Sequence, residues 1–483
     1  MDQLKNVAVI GAGYVGGVTA VILANMCPDY DFHVCDIDEA RIAEWCSGKP
    51  PINERGLDHY LRSQLNKNLF FTIDIEGAVK KSGLIFLCVH TPSKCYGFGK
   101  DSNQDLSYVE NALRTIVKVS KHAKIVIQKS TVPLQASSIF MDILNSNSDD
   151  RLLIPSFNGI NSHCYLSNPE FLAEGTAIEN LINPDRVIIG GDLTTNVGKT
   201  ACSTLRHLYA HWIPDEKIIV VSILSAELCK LASNAFLAQR ISSINSLSII
   251  CECTGADIEE VSRAVGLDTR IGNKFLQAGL GFGGSCFSKD LKSLVQLSSS
   301  LGQEQVSNYW SDVLKINQLQ VQRFARLIFD NLFQNLANKK IILIGYAFKA
   351  NTNDIRGSQS VELAKLLLDE RVNLRIYDPL VAPNHVADSL KDHSDANYKV
   401  IADVTKEAEG VHALVFGVES EHHKVIYQMM EKPAFIFDGR LMLDHKKLTQ
   451  IGFRVHAIGK RHEKRVQSIT FNNGPTLKRR KNY

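Results

Sequence analysis

A cysteine in a glycine-rich segment is the side chain of this sequence best suited to covalent chemistry. The segment reads GLGFGGSCFSKD from Gly279 to Asp290, and a helix is expected to begin near Ser285, with Cys286 on its first turn. Free backbone N–H groups and the positive end of the helix dipole favour a thiolate there, and Lys289 would add to this effect. Asp290, four residues after the cysteine, would share its helix face and could handle a proton or water. The pattern predicts a nucleophilic thiol.

A second motif predicts a dinucleotide site near the start of the chain. The stretch GAGYVG, from Gly11 to Gly16, follows the β-branched run at 7–10 and leads into an apolar helical run at 18–23. In this context the first glycine permits a tight turn, Gly13 lets the backbone approach a pyrophosphate, and Gly16 lets the helix pack closely on the strand. The helix N-terminus would then face the phosphates.

An acidic residue at the end of the second predicted strand indicates which dinucleotide is bound. Asp36 stands twenty residues after Gly16, and its carboxylate can accept from a ribose hydroxyl but would repel the 2′-phosphate of NADP. NAD is therefore preferred, and Arg41 could support the ribose. The residues predicted from this motif are Gly11, Ala12, Gly13, Tyr14, Val15, Gly16, Asp36 and Arg41.

Two further stretches are expected at the carboxyl ends of strands, where α/β domains bind ligands. They are Val89, His90, Thr91, Pro92 and Ser93, and then Ser130, Thr131, Val132 and Pro133. Both are plausible cofactor loops, although either taken alone could be a proline-stiffened turn. A thiol combined with NAD indicates oxidation of an aldehyde-level carbon through a thiohemiacetal and a thioester.

Composition excludes several other classes of protein. The 483 residues suffice for two to four domains, and 45% hydrophobic with 22% charged residues is typical of globular chains. The 54 basic and 51 acidic residues are too balanced to indicate a nucleic-acid or membrane partner. No leader and no apolar run long enough to span a bilayer is apparent, so we expect a cytoplasmic protein. The eleven cysteines show no metal-ligand spacing, so we expect reduced thiols and no metal.

The elements that must position these motifs fall into two α/β series around a helical middle. Strands are predicted at 7–10, 32–35, 84–89, 125–128 and 187–189, and their rhythm with helices indicates a buried parallel sheet. A long helix is predicted from Ser222 to about Cys251, and a second series has strands at 340–345, 374–377, 413–416 and 434–437. We expect an α/β fold of two Rossmann-like doubly wound domains joined by a long central helix and a helical middle domain.

The corresponding domain boundaries place the dinucleotide motif in the first domain. They are an NAD-binding domain at 1–216, a helical central domain at 217–330, a second α/β domain at 331–466 and a flexible basic tail at 467–483. The polar segment from Asp149 to Asn161 is expected to be a surface loop.

Taken together, the motifs resemble the UDP-glucose/GDP-mannose dehydrogenase family from Val7 to about Gly459. The stretches that carry the resemblance are the fingerprint at Gly11, STVP at 130–133, NPEFLAEG at 168–175, KLASN at 230–234, RIGNKF at 270–275, the cysteine loop, FK at 348–349 and FDGR at 437–440. The resemblance implies that UDP-glucose is oxidised twice at carbon 6 to UDP-glucuronate, with two NAD reduced and Cys286 as nucleophile. By the same resemblance the product supplies glycosaminoglycan and glucuronide synthesis.

The resemblance also implies roles for individual residues. Lys230 stabilises oxyanion charge, Asn234 and Asp290 surround the reacting carbon, and Glu170, with Thr131 nearby, acts in thioester hydrolysis. Cofactor contacts carry over to Glu174, Cys286, Phe287, Ser288, Lys289 and Arg356 in addition to the loops above. Substrate contacts carry over to Glu170, Phe171, Leu172, Ala173, Glu174, Lys230, Leu231, Ala232, Ser233, Asn234, Arg270, Phe275, Gln277, Ala278, Gly279, Leu280, Gly281, Phe282, Gly283, Phe348, Lys349 and Arg440.

Two local expectations follow from the matched segments. Asn168 as N-cap and Pro169 at the first helical position would begin a turn that presents Glu170 and Glu174 together. Arg270 matches an arginine that reaches a neighbouring subunit, which implies a homo-oligomer, either a dimer or a hexamer built as a trimer of dimers. The resemblance likewise implies that the domain at 217–330 mediates dimerisation and that the domain at 331–466 binds the UDP-sugar.

Some positions depart from the family pattern and leave alternatives open. His90 replaces a usual Asn, Gln277 a usual Lys, and Ala350-Asn351 a usual Lys-Asp pair. None removes a catalytic group. The alternatives are a related dehydrogenase acting on GDP-mannose or a UDP-N-acetylhexosamine, and a regulatory paralogue that binds nucleotide without turnover.

Overall fold

The computed structural model describes residues 2–97, 104–146, 162–416 and 424–461. The predicted loop at 149–161 and the predicted basic tail at 467–483 lie outside the described residues. No described helix is both long enough and apolar enough to cross a membrane.

The N-terminal part of the chain builds one eight-stranded sheet. Its strands are β1 (Asn6–Ile10), β2 (Asp31–Cys35), β3 (Leu69–Thr72), β4 (Leu84–Leu87), β5 (Ile125–Gln128), β6 (Cys164–Ser167), β7 (Val187–Gly191) and β8 (Ile218–Ser222). Its helices are α1 (Tyr14–Met26), α2 (Glu39–Cys46), α3 (Leu57–Gln64), α4 (Ile75–Lys81), α5 (Ser107–Val119), α6 (Ala136–Asn145), α7 (Ala177–Ile182) and α8 (Asn196–Tyr209).

The strands of this sheet follow an order known from nucleotide-binding proteins. The sheet runs β3-β2-β1-β4-β5-β6-β7-β8, and its first six strands have the order typical of dinucleotide-binding domains. Strands β4 and β5 are buried along their whole length because helices cover both faces of the sheet. The predicted parallel sheet is correct except for one pairing within it, where β6 and β7 pair antiparallel at Ser167 and Gly190.

A helical region connects the two sheets. It contains α9 (Ile223–Thr254), α10 (Ile258–Gly266), α11 (Phe287–Ser300) and α12 (Glu304–Asn331). The 32-residue helix α9 begins after Ser222, whose side chain accepts from the backbone N–H of Ser225. It ends at Gly255, which has a φ of 87° that glycine adopts without strain.

The C-terminal part repeats the first topology on a smaller scale. Its strands are β9 (Lys340–Ile344), β10 (Asn373–Tyr377), β11 (Tyr398–Val400), β12 (Ala413–Phe416), β13 (Phe435–Asp438) and β14 (Arg454–Ala457). Its helices are α13 (Gln359–Asp369), α14 (Pro383–Ser389), α15 (Lys424–Met429) and α16 (His445–Ile451). The strands are all parallel in the order β11-β10-β9-β12-β13-β14. The predicted fold class, two Rossmann-like domains joined by a long helix, is confirmed.

Candidate active site

One large cleft brings the two sheets and the central helix together. Its volume is about 2310 Å³. The N-terminal part contributes the carboxyl ends of β1, β4 and β5, and the helical region contributes the middle of α9 and the start of α11. The C-terminal part contributes Phe348, Lys349, Arg356 and Arg440. Sites for single small ligands typically measure about 300–1,000 Å³. The cleft therefore has room for a dinucleotide and a second ligand.

Each of the three glycines of the fingerprint is required for a different structural reason. Gly11 has a φ of 106°, and a Cβ there would lie 2.6 Å from the Cys88 carbonyl oxygen. A Cβ on Gly16 would overlap the carbonyl oxygen of Gly11, so this glycine lets α1 pack on the turn. A Cβ on Gly13 would meet nothing within 4 Å, although the residue lines the cleft. Protein packing explains two of the glycines, whereas approach of a ligand explains Gly13.

Asp36 lies at the end of β2 beside this turn. Its Oδ2 accepts from the backbone N–H of Ala12 at 2.8 Å and from Arg41 Nη1 at 3.2 Å, and its Oδ1 accepts from the backbone N–H of Asp38 at 3.1 Å. A carboxylate has about four acceptor positions, so Asp36 retains capacity for a ribose hydroxyl. The open approach at Gly13 and this fixed carboxylate fit NAD.

The two predicted cofactor loops form one wall because hydrogen bonds join them. Thr91 Oγ1 donates to the Thr131 carbonyl at 2.9 Å, and Ser130 Oγ donates to the Val89 carbonyl at 2.6 Å. Lys289 Nζ donates to the Thr91 carbonyl at 3.5 Å, which connects α11 to the same wall. The loops after β4 and β5 and the start of α11 are thus held as a unit.

His90, one of the departures from the family pattern, lines the same wall. Burial lowers the pKa of His90, and Lys289, Arg356 and Arg41 lower it further. The imidazole is therefore neutral at pH 7, and it adds a polar group but no charge to the cleft.

Cys286 faces the cleft as the N-cap residue of α11. The helix begins at Phe287, two residues later than expected, and Cys286 is exposed toward the cleft. Removal from water raises the pKa of the thiol; Lys230 opposes the rise, while Glu170 and Asp290 add to it. The direction of this shift is opposite to the one expected from the helix end and Lys289, because burial and the two carboxylates outweigh Lys230. The neutral thiol is therefore favoured, and a nearby base is suited to take its proton.

Lys230 and Glu170 form a buried ion pair beside the thiol. Lys230 Nζ donates to Glu170 Oε1 at 2.8 Å and to the Glu170 backbone carbonyl at 2.6 Å. Burial favours the neutral lysine, but Glu170, Asp290 and Cys286 together raise the pKa of Lys230. For Glu170 burial is outweighed by Lys230, by the Leu172 backbone N–H and by other cations, so its pKa is lowered. Both groups are ionised at neutral pH.

Asp290 and Asn234 form the opposite part of the catalytic cluster. Asn234 Nδ2 donates to Asp290 Oδ2 at 2.6 Å, while Asp290 Oδ1 is buried and has no hydrogen-bond partner among the described residues. Burial raises the pKa of Asp290 despite Lys230 and Lys289. A carboxyl group with a raised pKa and a free oxygen is suited to exchanging a proton.

The C-terminal sheet contributes the cationic wall. Phe348, Lys349 and Arg440 line the cleft there, and burial lowers the pKa of Arg440 to about 10, so that it remains charged at neutral pH. Arg356 forms ion pairs with Asp354 at 2.7 Å and with Glu174 of the N-terminal part at 3.4 Å. Guanidinium and ammonium groups are the donors that a diphosphate requires.

Most of the predicted site residues lie on the cleft wall. Those that lie away from it are Gly16, Val132, Pro133, Leu231, Ala232, Arg270, Gln277, Ala278, Gly279, Leu280, Ser288 and Asp290, the last of which is 0% exposed and buried next to Asn234. Val132 is 5% exposed within the core, and Arg270 is exposed and paired with Asp268 at 2.7 Å. Gln277 Nε2 donates to the Arg440 carbonyl at 3.2 Å, which connects it to the cationic wall indirectly.

The expected helical turn at Asn168 and Pro169 is wrong. No helix begins there, because the Asn168 side chain is buried and bonded elsewhere. Its Oδ1 accepts from Lys129 Nζ at 3.0 Å and from the Tyr209 hydroxyl at 2.6 Å, and its Nδ2 donates to the Ile188 carbonyl at 2.7 Å. The segment that carries Glu170 is an extended loop fixed by these bonds.

Two buried charged residues of this site were missed by sequence reasoning. Lys129 precedes Ser130, is 4% exposed, and has its pKa lowered by burial to about 8. Glu54 is 7% exposed and accepts from the Tyr14 hydroxyl and from the backbone N–H groups of Gly175 and Ala177. The only sequence signal was charge inside otherwise apolar or loop context. It did not indicate their partners, which lie 39 and 80 residues from Lys129 and between 40 and 123 residues from Glu54.

The dinucleotide sheet, the cleft thiol and the lysine–carboxylate cluster define an NAD-dependent oxidoreductase. Models of one family match in succession along the chain: the NAD binding domain at residues 5–213, the central domain at 224–319 and the UDP binding domain at 342–445. The chain belongs to the UDP-glucose/GDP-mannose dehydrogenase family.

Individual relatives resemble the chain over nearly its whole length. The UDP-glucose 6-dehydrogenase of Drosophila melanogaster is 47% identical over 471 residues, covering 95% of this chain and 97% of that protein. The Mus musculus UDP-glucose 6-dehydrogenase is 46% identical over 475 residues, covering 95% and 94%. A solved UDP-glucose dehydrogenase from Pyrobaculum islandicum has a TM-score of 0.79 at 30% identity, covering 94% of this chain and 98% of that chain.

Proposed function

We propose that this protein is a UDP-glucose 6-dehydrogenase, which oxidises UDP-glucose to UDP-glucuronate with reduction of two NAD. The observation that carries the proposal is the meeting of Cys286 with Lys230, Glu170 and Asn234 in one cleft that also contains the dinucleotide turn. Asp290 is buried next to this wall and is hydrogen-bonded to Asn234. The relatives of that name, at 46–47% identity over 95% of the chain, support the choice of substrate.

The cofactor would be held by the turn at 11–16 and by Asp36, with the loops after β4 and β5 and Glu174 and Arg356 completing its site. NAD supplies a hydride acceptor in each of the two oxidations. The sugar nucleotide would lie along the segment at 170–174, the start of α11 and the cationic wall of Lys349 and Arg440.

The first oxidation turns the C6 alcohol into an aldehyde and releases one proton. Cys286 Sγ then bonds to the aldehyde carbon while its proton passes to Asp290, whose free Oδ1 can take it. Lys230 and Asn234 stabilise the developing oxyanion of the thiohemiacetal by donating hydrogen bonds. This proton transfer accompanies the attack because the raised pKa of Cys286 favours the neutral thiol.

The second oxidation converts the thiohemiacetal to a thioester on Cys286. Water then attacks the thioester carbon, the C–S bond breaks, and carboxylate and thiol are formed. Glu170, ionised and fixed by Lys230, is placed to orient this water or take its proton, with Thr131 on the adjacent wall.

Assembly and location are also part of the proposal. Arg270 is exposed and available to a neighbouring copy, as expected for a homo-oligomer that could be a dimer or a hexamer. All eleven cysteines are unpaired, which favours the reducing cytoplasm.

A substrate panel tests the proposal. Purified chain should give a kcat/KM for UDP-glucose at least about tenfold above those for GDP-mannose, UDP-N-acetylglucosamine and UDP-N-acetylmannosamine, a discrimination worth about 1.4 kcal/mol. The product should have the mass of UDP-glucuronate. Preference for another sugar nucleotide would identify a related dehydrogenase, and nucleotide binding without turnover would identify a regulatory paralogue; either result contradicts the proposal.

A further inference from the structure

A buried layer of side-chain amides supports the glycine-rich loop that leads to Cys286. Asn317 and Gln320 lie on α12, one turn apart and both almost fully buried, at 5% and 1% exposed. Asn245 on α9 faces them and is 0% exposed. Buried amides are costly unless they are hydrogen-bonded, so their partners reveal what they hold.

The Asn317 amide pairs with one residue of the loop by two hydrogen bonds. Asn317 Oδ1 accepts from the Phe282 backbone N–H at 2.8 Å, and Asn317 Nδ2 donates to the Phe282 carbonyl at 3.0 Å. This arrangement substitutes a side-chain amide for the peptide group of a neighbouring strand. Gly281, with a φ of 123°, allows the close approach, because a Cβ there would overlap Asn317 Oδ1.

The same loop is held at its start and from the C-terminal domain. Gln320 Nε2 donates to the Gly279 carbonyl at 3.1 Å, and Asn245 Oδ1 accepts from the Gly279 N–H at 2.9 Å. Gln359, the first residue of α13, donates to the Phe282 carbonyl at 3.0 Å. Phe282 is therefore held by side chains of both α12 and α13.

Packing transmits the position of Phe282 to the thiol. The Phe282 ring contacts the ring of Phe287 edge-on at 5.8 Å between centroids, and Phe287 is the first residue of the helix that Cys286 caps. We propose that Asn317 is a positioning residue that fixes the Cys286 loop for attack, an inference that rests on the proposed function of the thiol. Misplacement of a reacting group by about 1 Å can cost about a hundredfold in rate.

The test compares N317L with N308L, the same change at an exposed asparagine of α12. N317L is expected to lower kcat with UDP-glucose about tenfold or more while the KM for NAD stays within about twofold. Amide hydrogen exchange should rise in peptides covering 279–287 and remain unchanged in the first sheet. N308L should match the wild type in both measurements.

A second variant covers the case in which N317L does not fold. Q359L removes one of the two donors to the Phe282 carbonyl, and it should raise exchange in 279–287 and lower kcat by a smaller factor. Wild-type kcat in both variants, or exchange that rises equally throughout the chain with a lowered Tm, would overturn the proposal. If the wild-type chain does not oxidise UDP-glucose, the proposed function fails, whereas local exchange at 279–287 still decides the positioning role.

Discussion

Lys230 holds Glu170 twice, by the carboxylate at 2.8 Å and by the backbone carbonyl at 2.6 Å. One ammonium group therefore fixes both the charge of this acid and the path of its loop. Because both side chains are at most 9% exposed, each depends on the other to remain charged inside the protein.

This relationship predicts non-additive effects of mutation. Removing one partner of a buried pair typically costs about 3–5 kcal/mol, because the other charge is left uncompensated. K230M should therefore lower the Tm more than the double variant K230M/E170Q, and both should lose turnover. Thermal unfolding of the wild type, K230M, E170Q and K230M/E170Q measures the coupling between the two side chains. Strictly additive Tm changes would contradict this prediction.

Substitutions of two fingerprint glycines should have separate effects, one on cofactor binding and the other on folding. Gly13 has an ordinary φ of −77° and open space at its Cβ position, so G13A should fold with an unchanged Tm and raise the KM for NAD about tenfold or more. G16A should instead reduce the yield of folded protein, because its Cβ would overlap the Gly11 carbonyl. Tm and NAD kinetics of the two variants check this; a normal KM for G13A would mean that no ligand approaches there.

Glu54 links the dinucleotide turn to the loop that carries Glu170. It accepts from the Tyr14 hydroxyl on one side and from the N–H groups of Gly175 and Ala177 on the other. E54A should raise the KM for NAD and lower kcat, each about tenfold, since it releases both segments. Y14F, which removes one bond only, is the matched comparison and should have the smaller effect. Equal kinetics of E54A and wild type would show that the loops are fixed independently.

Lys129 predicts a pH dependence of stability with a definite sign. Its pKa falls from the ordinary value near 10.5 to about 8 on folding, so the folded state binds its proton less tightly than the unfolded state. Between about pH 8 and 10 the unfolded chain holds more protons, and this group makes stability rise with pH by up to about 3 kcal/mol.

K129M removes this contribution. The Tm of the wild type relative to K129M should therefore increase from pH 7.5 to pH 10. K124M is the comparison, because Lys124 is also buried with its pKa lowered to about 8, but its Nζ donates to the Ser82 carbonyl at 2.6 Å and it does not line the cleft. Both variants should show the pH effect, while only K129M should also lower kcat. A constant Tm difference across this range would contradict the assignment.

The sequence allowed the fold class to be predicted because both sheets contain long β-branched runs and one uninterrupted helix separates them. The strands missed were β6 and the four edge strands, β3, β8, β11 and β14, which are only partly buried and so lack a continuous apolar run. The antiparallel pairing of β6 with β7 was also missed, because direction depends on the connection and not on strand composition.

The site was predictable where motifs are local and was not where partners are distant. Cys286 and Asp290 are four residues apart, so one helix places them together. Asn168 was misassigned as a helix cap because Lys129 and Tyr209, which occupy its oxygen, are 39 and 41 residues away. The raised pKa of Cys286 was missed because its largest cause is burial, to which Glu170 adds from a distant part of the sequence.

The number of NADH formed per UDP-glucose tests the central claim that Cys286 carries one substrate through two oxidations. With limiting UDP-glucose and excess NAD, absorbance at the NADH band should report two NADH per sugar nucleotide for the wild type, and C286S should lose this complete turnover. One NADH per UDP-glucose, or an undiminished ratio and rate in C286S, would contradict the account.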